Sequence, residues 1–182
     1  MNRFISDGNS LTVGAEITYP KLLIESLGAT WEYRNFGVGG QDTADMIADA
    51  DTQIDPLFDS RKRRDVVICW EGGNDIGSAT AADAYDRLVA YCQGRQSAGF
   101  EVIILTLSIS DNTEAWLARR IELNSLLIAN WATFADAIVR IDQDPYLGDD
   151  GNPLDTDYFV DGVHMTPAGY AIVADLVKTA IL

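Results

Sequence analysis

Apolar residues along this chain follow two rhythms. Residues 66–70 and 102–105 form short, nearly unbroken apolar runs, the pattern of strands covered on both faces. With three further short segments they predict five strands, at residues 3–6, 30–36, 65–71, 100–107 and 137–141. Between and after them apolar positions recur at helical spacing: Tyr85, Leu88, Val89 and Cys92; Leu117, Ile121 and Ile128; Ile172, Val173, Leu176, Val177 and Ile181. The helix starts are marked. Thr80 opens a helix to about Gln96 with Gly99 just beyond it, Thr113 opens the next, and Thr166-Pro167 opens the last. On this pattern Trp31 and Trp70 belong to strands in the core, whereas Trp116 and Trp131 lie on a helix.

Strands alternating with helices predict a parallel sheet with helices on both faces. In such folds the loops past the carboxyl ends of the strands form the binding crevice. Ser10, Gly40 and Asn74 each follow a predicted strand, and His164 precedes the last helix, so four loops converge on one edge. The chain has 182 residues, with no internal repeat, linker or low-complexity stretch, and a single domain over residues 1–182 is expected.

Charge and composition narrow the function. Asp and Glu number 28 against 13 Lys and Arg, a net charge of −15 that repels phosphate backbones and argues against a nucleic-acid partner. No apolar run approaches the ~20 residues of a transmembrane segment. The opening Met1-Asn2-Arg3 carries no apolar signal region, and a soluble, cytoplasmic protein, monomeric or a small homo-oligomer, is expected. Cys69 and Cys92 sit on apolar stripes and read as small buried hydrophobes. With two Cys and one His no structural zinc site is expected, and no other metal or cofactor is called for. Arg61-Lys62-Arg63-Arg64 reads as a solvated entry loop to the third strand. The six aspartates between Asp142 and Asp157 lack the ligand spacing of an EF-hand and read as a polar loop near the site mouth.

The single histidine is the sharpest constraint, because any imidazole chemistry must use His164. Asp161-Gly162-Val163-His164 places a carboxylate three residues ahead of it, within reach of Nδ1, which leaves Nε2 free as a base. The same spacing also suits a His that merely caps a turn. Ser10, in Asp7-Gly8-Asn9-Ser10-Leu11-Thr12, is the candidate nucleophile, although turn and N-cap serines look alike. Thr12 in place of glycine rules out the Gly-x-Ser-x-Gly elbow. Asn35-Phe36-Gly37-Val38-Gly39-Gly40 and Glu71-Gly72-Gly73-Asn74-Asp75 offer N–H donors for an oxyanion, and a glycine-rich turn after a strand also suits a phosphate.

Taken in order, Gly8-Asn9-Ser10-Leu11-Thr12, Asn35-x-Gly37-x-x-Gly40, Gly72-x-Asn74-Asp75 and Asp161-x-x-His164 resemble the four blocks of the SGNH hydrolases, also called GDSL-type esterases and lipases. The resemblance runs from Phe4 to the final helix. It implies a flavodoxin-like three-layer αβα sandwich with a five-stranded parallel sheet. It also implies cofactor-free hydrolysis of a small-molecule carboxylic ester. Ser10 would be the nucleophile, His164 the general base and then acid, and Asp161 its orienting partner. The oxyanion hole would comprise the Ser10 and Gly40 backbone N–H groups and the Asn74 amide. One residue departs from the pattern: Asn9 stands where the family usually has Asp, and an amide of the same size is expected to keep the turn. Acetyl or other short acyl esters, carbohydrate esters among them, are the expected substrates, since no long apolar insertion offers a lid. Lysophospholipid or acyl-thioester cleavage, a non-catalytic phosphate or nucleotide binder, and a catalytically silent relative are the alternatives.

Overall fold

A computed structural model describes residues 1–13 and 17–182. Five strands form one parallel sheet: β1 (Asn2–Gly8), β2 (Trp31–Asn35), β3 (Asp65–Trp70), β4 (Glu101–Leu105) and β5 (Ala137–Val139), in the order β2-β1-β3-β4-β5. Every residue of β1 and β3, two of the three inner strands, is buried, as the unbroken apolar run of β3 predicts. The main helices are α2 (Tyr19–Leu27), α3 (Thr43–Gln53), α5 (Ala81–Ala98), α6 (Glu114–Asn130) and α7 (Pro167–Ile181). Two single-turn helices follow the carboxyl ends of β1 and β3: α1 (Ser10–Val13) after one residue and α4 (Asp75–Ser78) after the turn at residues 71–74.

Connection handedness accounts for the layers. The chain moves one way from β1 to β2 and the other way from β2 through β3 and β4 to β5, so right-handed crossovers place α2 on one face and α3, α5 and α6 on the other. Accordingly α2 packs on α7, while α5 packs between α3 and α6. Reversal of direction between β1 and β3 leaves a crevice beyond their carboxyl ends, the usual ligand site of a doubly wound sheet.

Helix signals in the sequence hold where they were strongest. Thr80 and Asp83 form a reciprocal capping box, Gly99 ends α5 in the left-handed conformation, and Thr113 and Thr166 accept N–H bonds at the starts of α6 and α7. The sequence reading missed α2 and α3; α3 starts with an Asp42/Asp45 capping box inside a polar stretch, where apolar periodicity is weak. Trp131 departs from expectation: α6 ends at Asn130 and Trp131 begins a 3-10 turn, because the chain must bend there to enter β5. Trp31 and Trp70 are buried as expected.

The basic run lies at the amino end of β3, remote from the crevice. Arg61 pairs with Asp59, Lys62 with Glu32 and Arg64 with Glu101, so three of its four charges are internally neutralised. The aspartate-rich stretch is likewise consumed by structure: Asp142 pairs with Arg140, Asp149 with the buried Arg120, and Asp144 accepts the Tyr146 and Leu147 N–H groups. Ile109 N–H donates to Leu147 O, which ties this stretch to the loop after β4. Both cysteines are free and buried. Among the described residues no helix is long and apolar enough to cross a membrane, and no group of three or more His, Cys, Asp and Glu side chains has the placement to hold a metal ion.

Candidate active site

Ser10 is the first residue of α1, so its hydroxyl emerges where β1 ends at the crevice. His164 comes from a loop folded on itself before α7, where Phe159 and Met165 form a bridge and Val160 N–H donates to His164 O. Within that loop Asp161 Oδ1 accepts the N–H groups of Val163 and His164, at 3.0 and 2.7 Å. Gly162 makes the turn possible. Its φ is +82°, and an added Cβ would lie 2.6 Å from Asp111 Cβ. The loop therefore turns Asp161 Oδ2 onto His164 Nδ1 at 2.8 Å, and His164 Nε2 meets Ser10 Oγ at 2.8 Å.

Hydrogen-bond donation to Asp161, first from the His164 backbone N–H and then from its ring, holds the carboxyl down at about 2. An ionised Asp161 accepts only, so Nδ1 carries the proton and Nε2 is left to accept from the Ser10 hydroxyl. Residues 154 positions apart are thereby joined in one relay.

Asn74 shares a cleft with Ser10, and Gly40 lies in a neighbouring groove. Asn74 Nδ2 donates one hydrogen to Gln41 O at 2.7 Å, which leaves its second amide hydrogen available. Gly40 precedes that acceptor and lines a shallow groove with Val38, Gly39 and Gln41, whereas Ser10 and Asn74 line the main cleft. Asn9 Oδ1 accepts the Leu11 N–H at 2.9 Å, so the amide keeps the turn around Ser10 as expected.

Several site-supporting groups escaped the sequence reading. Glu71 is fully buried; its Oε1 accepts from Asn9 Nδ2 at 2.9 Å and from the Gly72 and Asn74 N–H groups at 3.0 and 3.3 Å. Asp75, also fully buried, accepts from the Thr43 N–H and hydroxyl and from Arg87, tying the start of α3 to α4. Asp7 accepts from Tyr91, Gly8 and Gln41. In sequence these are acids at strand ends, indistinguishable from the solvent-exposed majority of this acidic chain. Their burial is set by tertiary packing alone.

That burial has a measurable consequence. Desolvation pushes Glu71 up to about 8 and Asp7 up to about 6, from ordinary values of 4.5 and 3.8. The folded state then holds the Glu71 proton longer than the unfolded chain does. Its contribution to stability is complete below about 4.5 and is lost as pH rises through about 8. Asp161, with its value lowered, acts oppositely and only in stronger acid. Stability should therefore fall between pH 5 and 8 by up to about 1.4 kcal/mol per pH unit from this one proton. Glu71→Gln should flatten the slope, as urea denaturation across that range will measure. A slope unchanged in the folded variant would exclude Glu71 as its source.

The cleft beside Ser10 encloses about 230 Å³. Leu11, Trp70, Leu107, Trp116 and Val163 supply its apolar wall, and Ser108, Ser110 and Asn112 its polar one. Trp116 is fixed there: Thr113 Oγ1 accepts its backbone N–H at 3.2 Å, and its indole N–H donates to Gly73 O at 3.0 Å. The helical pattern placed Trp116 on α6 but could not show which way it faces.

A doubly wound β2-β1-β3-β4-β5 sheet with an Asp–His–Ser hydrogen-bonded chain at its switch point is the class that fold and geometry define. The chain belongs to the GDSL-like Lipase/Acylhydrolase family, whose model matches residues 7–172. Among solved structures it is similar to a lipolytic protein of the G-D-S-L family from Veillonella parvula, with TM-score 0.79, 18% identity, and coverage of 98% of this chain and 97% of that one. It is also similar to a GDSL-like lipase from Bacteroides thetaiotaomicron, with TM-score 0.77, 20% identity, and 98% and 86% coverage. An acetyl xylan esterase follows, with TM-score 0.71, 20% identity, and 99% and 100% coverage. At these identities the likeness carries the fold. A comparison with curated protein sequences gave no match.

Proposed function

We propose that the chain is a serine-dependent carboxylic ester hydrolase acting on acetyl or other short-chain acyl esters, carbohydrate esters among them. The observation that carries this reading is the Asp161–His164–Ser10 chain, with 2.8 Å at both side-chain links, opening on a cleft of about 230 Å³. That volume lies below the roughly 300–1,000 Å³ of pockets for drug-sized ligands, and Trp116 stands in its wall. Its mixed polar and apolar lining suits a small acyl group attached to a hydroxylated alcohol better than a long chain. The structural likeness to an acetyl xylan esterase supports the same choice.

In this mechanism Ser10 Oγ attacks the ester carbonyl carbon as His164 Nε2 takes its proton. The carbonyl electron pair moves onto oxygen, where the free Asn74 amide hydrogen and the Ser10 and Gly40 N–H groups receive it. Collapse of the tetrahedral species breaks the carbon–alkoxide bond, and the imidazolium returns the proton to the departing alcohol. Water then repeats the sequence on the acyl-serine, with His164 again as base, and releases the carboxylic acid. Asp161 holds the ring and stabilises its positive charge throughout.

A p-nitrophenyl ester series from acetyl to dodecanoyl, run beside acetylated sugars, tests the proposal. Acetyl to butyryl esters should turn over fastest, with kcat/KM falling at least ~10-fold by octanoyl, the scale of discrimination a hydrophobic pocket achieves. A fluorophosphonate probe should label Ser10. Long-chain preference would overturn the substrate assignment; no hydrolysis and no labelling would overturn the esterase itself.

A further inference from the structure

The register of β1 and β3 pairs Gly8 with Trp70, so the residues that follow, Asn9 and Glu71, are brought level at the crevice. There Glu71 does more than fill space. Its Oε1 gathers Asn9 Nδ2, the Gly72 N–H and the Asn74 N–H, and so joins the serine loop to the loop bearing the Asn74 amide. The circuit closes through a third loop: Asn74 Nδ2 donates to Gln41 O, and Gln41 Nε2 donates to Gly8 O at 2.6 Å. Three strand-end loops are thus held in one ring of hydrogen bonds around Ser10.

Asn9 is the amide this ring requires. Its Oδ1 is committed to the Leu11 N–H and its Nδ2 to Glu71, so both ends of the side chain are fixed. An aspartate at this position would lack the Nδ2 hydrogens that Asn9 gives to Glu71 Oε1. Glu71 Oε2, by contrast, is buried without a partner, a costly placement for an acid. Three bonds on the other oxygen offset that cost, and two of them lead to groups beside the reacting serine.

We propose that Glu71 is a positioning residue, acting through Asn9 to hold Ser10 in line with His164 and through the Asn74 N–H to aim the Asn74 amide. Asn9 and Glu71 form one matched pair, the amide donor on the serine loop facing the carboxyl oxygen that follows β3. This inference rests on the esterase reading, and its test separates the two.

The variants are Glu71→Gln, Glu71→Leu, Asn9→Ala and the double Asn9→Ala/Glu71→Leu, compared at pH 6.5 on p-nitrophenyl acetate with circular dichroism and Tm recorded for each. Glutamine keeps the accepting oxygen and should stay within ~3-fold of wild-type kcat. Leucine should cost kcat about 10²-fold at nearly unchanged KM, the expected effect of an ångström-scale misplacement. Asn9→Ala should lose a comparable factor. Because one bond joins the pair, the double variant should be within ~3-fold of the slower single variant, not slower by the product.

A folded Glu71→Leu or Asn9→Ala with wild-type kcat overturns the proposal. Equal losses in Glu71→Gln and Glu71→Leu do so too, as does multiplication of the single losses in the double. Should Glu71→Leu fail to fold, Asn9→Ala, which leaves the buried acid in place, decides alone. A wild type that neither hydrolyses esters nor takes the fluorophosphonate label sinks the esterase reading and this inference with it. An active wild type with any of the overturning patterns sinks this inference alone.

Discussion

Ser10→Ala and His164→Ala should each lower kcat on p-nitrophenyl acetate by about 10⁴–10⁶-fold, while Tm moves by only a few degrees. The size follows from the relay. Without Ser10 no acyl-serine forms, and without His164 nothing takes the proton from its hydroxyl, since the chain has no second histidine. The remaining N–H donors would sustain only the residual rate that transition-state stabilisation provides. The small change in Tm follows from position: Ser10 is half-buried at the crevice and His164 is 42% exposed, so neither removal opens a core cavity. The double variant should be no slower than either single one, because the two groups act as one unit. Folded Ser10→Ala retaining more than about 1% of wild-type turnover would contradict the assignment, as the residual rates of disabled relays lie far lower.

Asp161→Asn should be nearly as damaging, at roughly 10⁴-fold in kcat, without disturbing the loop. Asparagine can keep Oδ1 on the Val163 and His164 N–H groups, so the turn through Gly162 survives. The other end of the side chain becomes an NH₂ group facing His164 Nδ1. A donor there forces Nδ1 to accept, moves the ring proton to Nε2, and removes the lone pair that receives the Ser10 proton. The imidazolium formed during attack also loses its anion. KM should change little, because Asp161 is absent from the cleft wall. Asp161→Asn with kcat within tenfold of wild type, at an unchanged Tm, would mean that the carboxylate does not set the tautomer; this is a modest bar against the ~10⁴ expected.

Strands were legible in the sequence because burial on both faces leaves a nearly continuous apolar run, as at Val66–Trp70. Helices α5, α6 and α7 were legible because each begins with a threonine cap. Their ends were less so: β4 stops at Leu105, where its apolar run ends, two residues short of the strand predicted to 107. Helix α3 was hidden by its polar surface. Trp116 and Trp131 looked equivalent on a helical pattern, yet one lines the cleft and the other lies past the helix end.

The sequence by itself determined the inventory of chemistry: a single imidazole, an aspartate three residues before it, and a serine in a strand-end turn. Local spacing was enough there, since the Asp161–His164 bond spans one loop. Tertiary structure alone decided whether that imidazole meets Ser10, because the bond spans 154 positions and depends on the order in which strands pair. It also decided which acids act as carboxylates and which hold their protons. Glu71 and Asp161 carry the same functional group; burial pushes one up to about 8, and donated N–H bonds hold the other at about 2. Burial of Glu71 is assembled from distant parts of the chain, whereas the N–H donors to Asp161, on Val163 and His164, come from its own loop.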